Sequence, residues 1–469
     1  MKARFFAALF LTVFLLSSCS LPAAHKPDPS SVTPVSSASP SSDSPSSSSS
    51  PTEAPTADPT ATPVPTETPS PTPVPTETPS EIPTESPSPT PEGPFVPYRD
   101  IPTVYVHKDK PLALTQYYWR SQLTESERSL YDDLLAVSET KTASVRLSRP
   151  VKIETVNKVL TLFILDHPEI FWWGPQYTTS GTMLRVNTIT LTLLYTPEEI
   201  ETRQKQIDSV TNRILAGLDE NATDIEAELY FHDWLCDNVA YTSSDEADGD
   251  VYTLFGALVQ KKAVCEGYTE AFQYLCGKVG IPCFGITGSA LLGGEKGNHK
   301  WNGVRIGGAW YLIDPTWDDG GLSSGSRHDY FNLTAAAFSA EHTADALLSP
   351  LLPSFTAEEA NYFVCRGLVC DADTLDDCFI RALGYAVESG SKEFAVELKG
   401  RTHGDAAICQ TILTAVNAQH TRELLSLFAE ETGITVSYRT GYELENDILR
   451  VDLRVDAEKQ QEQEGVSDD

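Results

Sequence analysis

The sequence predicts an α+β fold, and three observations predict it. Segments with apolar residues at helical spacing are interleaved along the chain with β-branched runs. A two-residue loop, Gly307-Gly308, separates two strand-like runs and signals a β-hairpin. After about residue 355 the pattern restarts as helix, strand, helix and two strands, which predicts an additional small C-terminal α+β domain.

The first helix is expected over 124–137, where Thr124 and Glu127 form a capping box ahead of Leu130, Leu134 and Val137. A second runs over about 152–165 and stops before Asp166-His167-Pro168. The stretch 183–195 carries Val186, Ile189, Thr190 and Thr192 and reads as strand. Pro197 opens a helix to about Leu218, and another spans about 224–238. Residues 251–320 read as short helix, loop, helix, strand, loop and hairpin. Beyond 355 the expected elements are a helix over 374–388, a strand over 393–399, a helix over 405–430 and two strands within 433–455.

The N-terminal fifth is of another kind. Lys2 and Arg4 precede an apolar run from Phe5 to Leu16 that is too short to span a bilayer, which marks residues 1–19 as a signal peptide. Leu16-Ser17-Ser18-Cys19 resembles a bacterial lipobox, so Cys19 is the expected lipidation site and the protein is expected on the outer face of a bacterial cell membrane. Residues 20–97 are almost entirely Ser, Pro, Thr and acidic, with a near-repeat beginning at Thr62 and again at Thr72. Such a segment cannot bury enough apolar surface to offset its ordering entropy. It is expected to be a tether reaching roughly 50 Å as a coil and about 240 Å as polyproline II. The expected boundaries are therefore signal peptide 1–19, tether 20–97, main domain 98–355 with its core at 225–320, small domain 356–457 and polar, frayed tail 458–469.

The net charge is −32, and the tether, with nine acidic residues against Lys26, supplies only part of it. An acidic folded part argues against nucleic acid as a partner and against attraction to anionic lipid, leaving the lipid anchor as the expected membrane contact. Nine cysteines are present. Setting Cys19 and Cys265 aside leaves an odd number, so one at least is unpaired in a monomer. Cys365, Cys370 and Cys378 are expected as buried thiols, with a disulfide among them the alternative. No spacing matches a zinc site, and neither metal nor cofactor is called for.

Cys265 opens a helix whose buried side carries Tyr268, Ala271, Phe272, Leu275 and Val279, ending at Gly280 with Pro282 beyond. A thiol in a first helical turn feels the positive end of the helix dipole, which favours the nucleophilic thiolate. A small buried core cysteine is the alternative. Downstream, the Gly-Gly hairpin pairs Trp301 with Asp314 and His299 with Thr316. His299 and Asp314 then lie diagonally on one face, roughly 7–8 Å apart in backbone and within reach of each other's side chains. A Cys, His and Asp so arranged meet the needs of acyl transfer: a nucleophile, a base, and a carboxylate that fixes the tautomer of the base. The Cys265 N–H is a natural oxyanion donor. A solvent-facing His–Asp pair on an ordinary hairpin is the alternative.

Five blocks in order carry a resemblance: Gly256-Ala257-Leu258, Ala263-Val264-Cys265-Glu266-Gly267-Tyr268, Gly280-Ile281-Pro282-Cys283, Asn298-His299-Lys300-Trp301-Asn302, and Trp310 through Trp317. The segment resembles the core of the transglutaminase-like superfamily, closely over about 225–320 and more weakly back to 115 and on to Asn332. The resemblance implies a papain-like α+β core, a Cys265–His299–Asp314 triad, and cysteine acyl transfer on amide bonds as peptidase or transamidase. The implied substrate is a protein or peptide, cell-wall peptides included; the alternative is a non-catalytic binding module at the cell envelope. No calcium loop is recognisable in the sequence. Tyr241 is the candidate for a second oxyanion donor, with a core tyrosine the alternative. His232 fits the family's helical His-Asp pair, but the structural reading is the one expected. Trp301 and Trp317 are expected as cleft walls or core, Glu266 as an electrostatic or solvated carboxylate, and Gly293–Gly297 as a mobile cleft edge.

Overall fold

The computed structural model describes residues 11–14, 102–242, 249–292, 295–320, 327–370, 374–389 and 393–398, with shorter pieces at 422–423, 426–427, 429–430, 434–435, 441–445, 448–452 and 458–459. The expected tether, most of the expected signal peptide with Cys19, and most of the helix expected over 405–430 lie outside these residues. The described residues fall in one compact unit. Among them no helix is long and apolar enough to cross a membrane.

The first layer is built from α1 (Tyr118–Ser121), α2 (Glu125–Glu139), β2 (Ser144–Val151), α3 (Ile153–Asp166), β3 (Trp173–Gly181) and β4 (Val186–Leu193). With β1 (Leu11–Phe14), a piece of the expected signal peptide that lipidation at Cys19 would remove, these strands form an antiparallel sheet ordered β1-β3-β4-β2. The expected capping box starts α2, Thr124 accepting from the Glu127 N–H while Glu127 accepts from Thr124 N–H. The sequence does not signal β2: its residues 147–150, Leu-Ser-Arg-Pro, break the alternation, and the strand is held by its bulged pairing with β4.

Then α4 (Pro197–Gly217), capped by Thr196 and Glu199, leads to α5 (Asp224–Asn238) and the two-residue β5 (Ala240–Tyr241). A 3₁₀ turn at Gly249–Tyr252 and a π-turn at Gly256–Gln260 precede β6 (Lys262–Ala263) and α6 (Cys265–Lys278). The strands β7 (Cys283–Leu292), β8 (Glu295–Ile306), β9 (Ala309–Ile313) and β10 (His342–Ala344) make a second antiparallel sheet, ordered β10-β7-β8-β9. The short helices α7 (Pro315–Asp318) and α8 (Ala335–Phe338) lie between β9 and β10. Gly307 and Gly308 both take positive φ, +57° and +92°, as a tight two-residue hairpin requires. Gly280, at φ +85°, ends the helical run as expected. Of the cleft edge expected at Gly293–Gly297, Glu295, Lys296 and Gly297 belong to β8, paired with β7, while Gly293 and Gly294 lie outside the described residues. Ladder pairing thus claims three residues that read as loop.

The second sheet packs against α6, and α6 against α5, so that Trp119, Phe163, Phe231, Phe272 and Phe284 are fully buried in one continuous core. Trp119 Nε1 donates to the Gly285 carbonyl at 3.0 Å, joining α1 to β7.

Farther on come α9 (Tyr362–Cys365), β11 (Val369–Cys370), α10 (Leu375–Ser389) and β12 (Glu393–Leu398), then β13 (Ile434–Thr435), β14 (Gly441–Glu445), β15 (Ile448–Asp452) and β16 (Glu458–Lys459). Four of these strands form a sheet ordered β11-β12-β15-β14. β16 pairs with β13, so the tail expected to be frayed from 458 begins as strand; the partner comes from a segment far away in sequence. Cys365 and Cys378 are buried thiols; the side chain of Cys370 lies outside the described residues.

Candidate active site

The hairpin register expected from the Gly-Gly turn is observed from Ile306 opposite Ala309 to Asn302 opposite Ile313, but the ladder stops there: the expected pairs Trp301–Asp314 and His299–Thr316 do not form, because Asp314 turns out of the strand to start a helix that contains Thr316. Asp314 leaves the end of β9 and caps α7, its Oδ1 accepting the N–H groups of Thr316 at 3.1 Å and Trp317 at 3.4 Å. Its Oδ2 accepts from His299 Nε2 at 2.6 Å, and neither side chain has any exposed surface. Burial alone would raise the Asp314 pKa, but the two histidines beside it hold its carboxyl well below the usual range. His299 Nδ1 is buried with no hydrogen-bond partner. An imidazole held through Nε2–H by a carboxylate has its Nδ1 lone pair available as a base. Trp317, half-buried, stands with its ring centroid 5.5 Å from that of His299. Trp301 is 2% exposed and packs on Phe338 and His342, which makes it core beneath the site.

Cys265 is the first residue of α6 and is completely buried, beside Val251 and Val264 with Tyr252 packed against them. Four contacts register this helix start on β8. Thr269 Oγ1 donates to the Lys300 carbonyl at 2.9 Å, Asn302 Nδ2 donates to the Thr269 carbonyl at 3.1 Å, and Lys300 Nζ ion-pairs with Glu266 and Glu270 at 3.2 and 3.1 Å. The residue after Cys265 is thereby tied to the residue after His299. Glu266, which the sequence offers as electrostatic or solvated, is a member of this buried network. The Cys265 sulfur is disulfide-bonded in this structure, where the sequence predicts a thiolate. A helix N-terminus that favours the thiolate also favours its attack on another sulfur. Acyl transfer therefore requires the reduced form.

Tyr241 lies on β5 opposite Ala263, two residues before Cys265, and is 43% exposed. Desolvation, then the charge of Asp314, pushes its hydroxyl up to about 12, so it remains a donor at neutral pH. His232 lies elsewhere: it is fully buried, with Nδ1 on Asp233 at 2.9 Å and Nε2 on Asp318 at 3.1 Å. His328 Nε2 shares the same Asp233 oxygen at 2.8 Å. Burial pushes Asp318 up to about 7. This network packs under α7 and has the structural role expected of His232.

One residue at the site carries no signal in the sequence. His342 Nε2 lies 3.1 Å from Asp314 Oδ2, on the oxygen that His299 uses. It comes from β10, 28 positions beyond Asp314, in a segment with no motif. Among the described residues, two clusters could hold a metal ion, His232–Asp233–His328 and His299–Asp314–His342. In both, the carboxylate is already hydrogen-bonded to both imidazoles.

Residues 208–315 match the model of the transglutaminase-like superfamily. That segment is similar to the core of that superfamily. Among curated proteins it is similar to kyphoscoliosis peptidase of Homo sapiens, 30% identical over 113 residues, and to that of Mus musculus, 28% identical over 128 residues. These alignments cover 22% and 25% of this chain but only 17% and 19% of those proteins. Among solved structures, a TGase covers 30% of this chain and 44% of its own at 16% identity and TM-score 0.22. A putative cysteine protease from Cytophaga hutchinsonii covers 30% of this chain and 56% of its own at 19% identity and TM-score 0.20. Likeness this partial leaves the site to be read from its own geometry.

Proposed function

We propose that this chain is a surface-tethered cysteine acyl-transfer enzyme acting on amide bonds of proteins or peptides, cell-wall peptides included. The observation that carries the reading is the buried His299 Nε2–Asp314 Oδ2 pair at 2.6 Å, whose Nδ1 has no partner. In the reaction, His299 Nδ1 takes the proton of the reduced Cys265 thiol, and the thiolate attacks the amide carbon. The C–N bond then breaks as the imidazolium returns that proton to the leaving amine, and a thioester remains. Water or an amine, deprotonated by His299, attacks the thioester and regenerates the thiol. Asp314 keeps its negative charge throughout and steadies the imidazolium. The Cys265 N–H and the Tyr241 hydroxyl are the proposed donors to the oxyanion.

The test is alkylation by limiting iodoacetamide near neutral pH, read by mass spectrometry on the full chain before and after reduction. Reduced protein is expected to label first at Cys265, and His299→Ala to slow that labelling by about tenfold or more, within the usual contribution of a general base. Oxidised protein is expected to show no labelling there. The second reading is a non-catalytic binding module at the cell envelope. If the reduced thiol labels no faster than Cys236 or Cys276, the binding module becomes the better account. The anchoring is tested by incorporation of labelled palmitate, expected to be lost in Cys19→Ala.

A further inference from the structure

His342 and His299 converge on one carboxylate oxygen, and the sheet is shaped to let them. His299 on β8 pairs with Gly288 on β7, which pairs with Ala344 on β10. Directly paired residues share a face, and so do residues two apart on a strand. His342 therefore stands on the His299 face, one diagonal step away across β7. A Cβ at Gly288 would come within 2.6 Å of the Trp301 ring and closer still to the Thr343 carbonyl. The missing side chain there lets β10 approach and carry His342 to Asp314. The His342 ring is sandwiched, with centroids 3.9 Å from Phe338 and 4.4 Å from Trp317. Its Nδ1, like that of His299, is buried with no partner.

We infer that His342 is a positioning residue for the His299–Asp314 pair: its Nε2–H fixes Asp314 Oδ2, and Asp314 so fixed holds His299 as the Nε2–H tautomer with Nδ1 free to act as base. The carboxylate accepts two backbone N–H groups on Oδ1 and two imidazole N–H groups on Oδ2. With His342 absent, Oδ2 keeps one donor and the carboxylate can pivot about the two bonds that hold Oδ1. Two imidazoles can donate to one ionised oxygen only if both carry the proton on Nε2. The inference rests on His299 acting as the base toward Cys265.

The experiment compares His342→Gln, which retains an N–H donor near the Nε2 position, with His342→Leu, which retains apolar bulk and no donor. Two readouts are taken on the full chain. Alkylation of reduced Cys265 is expected to fall about tenfold in His342→Leu and to stay within about threefold of wild type in His342→Gln, as loss of one charge-assisted hydrogen bond implies. Long-range ¹H–¹⁵N spectra are recorded in the Cys265→Ala background. They are expected to show His299 as the Nε2–H tautomer both with His342 in place and with His342→Gln, and as a mixture of tautomers with His342→Leu. Leucine performing as well as glutamine in both readouts would mean that His342 is packing alone, and the inference falls. Alkylation indifferent to His299→Ala would overturn the base reading, while the tautomer spectra would still decide whether His342 holds Asp314.

Discussion

Replacing Lys300 by methionine tests how the helix that carries Cys265 is registered against the strand that carries His299. The Lys300 side chain is 4% exposed, and its ammonium lies 3.2 Å from Glu266 and 3.1 Å from Glu270. Methionine keeps most of the aliphatic stem, so the loss is chiefly electrostatic. Removing one partner of a buried ion pair costs about 3–5 kcal/mol. Glu266 keeps 13% of its side-chain surface in water and Glu270 can take a proton, which places the loss near about 3 kcal/mol at pH 6. The sign of the pH dependence follows from Glu270. Burial raises its folded pKa to about 7 while Lys300 pulls it down, so the variant's value lies higher still. Between the unfolded and folded pKa values the folded state binds more protons, and stability falls as pH rises. In wild type that fall ends near 7, whereas in the variant it continues. The deficit should therefore grow above pH 7, by at most about 1.4 kcal/mol per pH unit and by about 1 kcal/mol at pH 8. Urea unfolding followed by tryptophan fluorescence at pH 6 and pH 8, with Lys300→Arg as the charge-preserving control, measures it. A loss under about 1 kcal/mol, or one that shrinks as pH rises, would refute the reasoning.

Gly288→Ala is expected to cost about 2–3 kcal/mol in thermal unfolding, because the new methyl group meets the Trp301 ring and the Thr343 backbone, and to slow Cys265 alkylation by displacing β10. Asp314→Asn places an amide where an acceptor of two imidazole N–H groups is needed, so alkylation of reduced Cys265 should fall about tenfold or more with the fold kept, as judged by circular dichroism. Asp166 is buried and accepts from Trp119 N–H, Arg120 N–H and the Tyr131 hydroxyl, yet burial raises it from 3.8 to about 6. Its folded pKa lies above its unfolded one, so it makes stability fall as pH rises from about 4 to 6. Asp166→Asn should destabilise by about 2 kcal/mol through its mismatched donors and flatten that part of the stability–pH curve, measured by urea titration at pH 4.5 and 6.5.

Helix starts and the hairpin are legible in the sequence because their determinants are local. Thr124 with Glu127 and Thr196 with Glu199 close their capping boxes within four residues. The Gly307-Gly308 turn sets the pairing of Asn302 with Ile313, and through it the approach of His299 to Asp314. Cys265 can be placed in a first helical turn from its apolar spacing and from Gly280. His342 cannot be found this way. It reaches Asp314 only because β10 returns across β7, and no residue near it in sequence records that pairing. Glu266 escapes for a related reason: a first-turn carboxylate looks solvated until the strand opposite supplies Lys300.

Sequence alone carried the α+β class, the order of elements through 251–320, and the Gly-Gly hairpin register that brings His299 toward Asp314, since turn geometry and side-chain periodicity act over a few residues. It took the tertiary structure to show that a second imidazole shares the Asp314 oxygen and that Lys300 ties the Cys265 helix to the His299 strand. Each of these depends on which distant surfaces the sheet brings together, and strand pairing across long separations is set by burial of the whole core, not by any single segment.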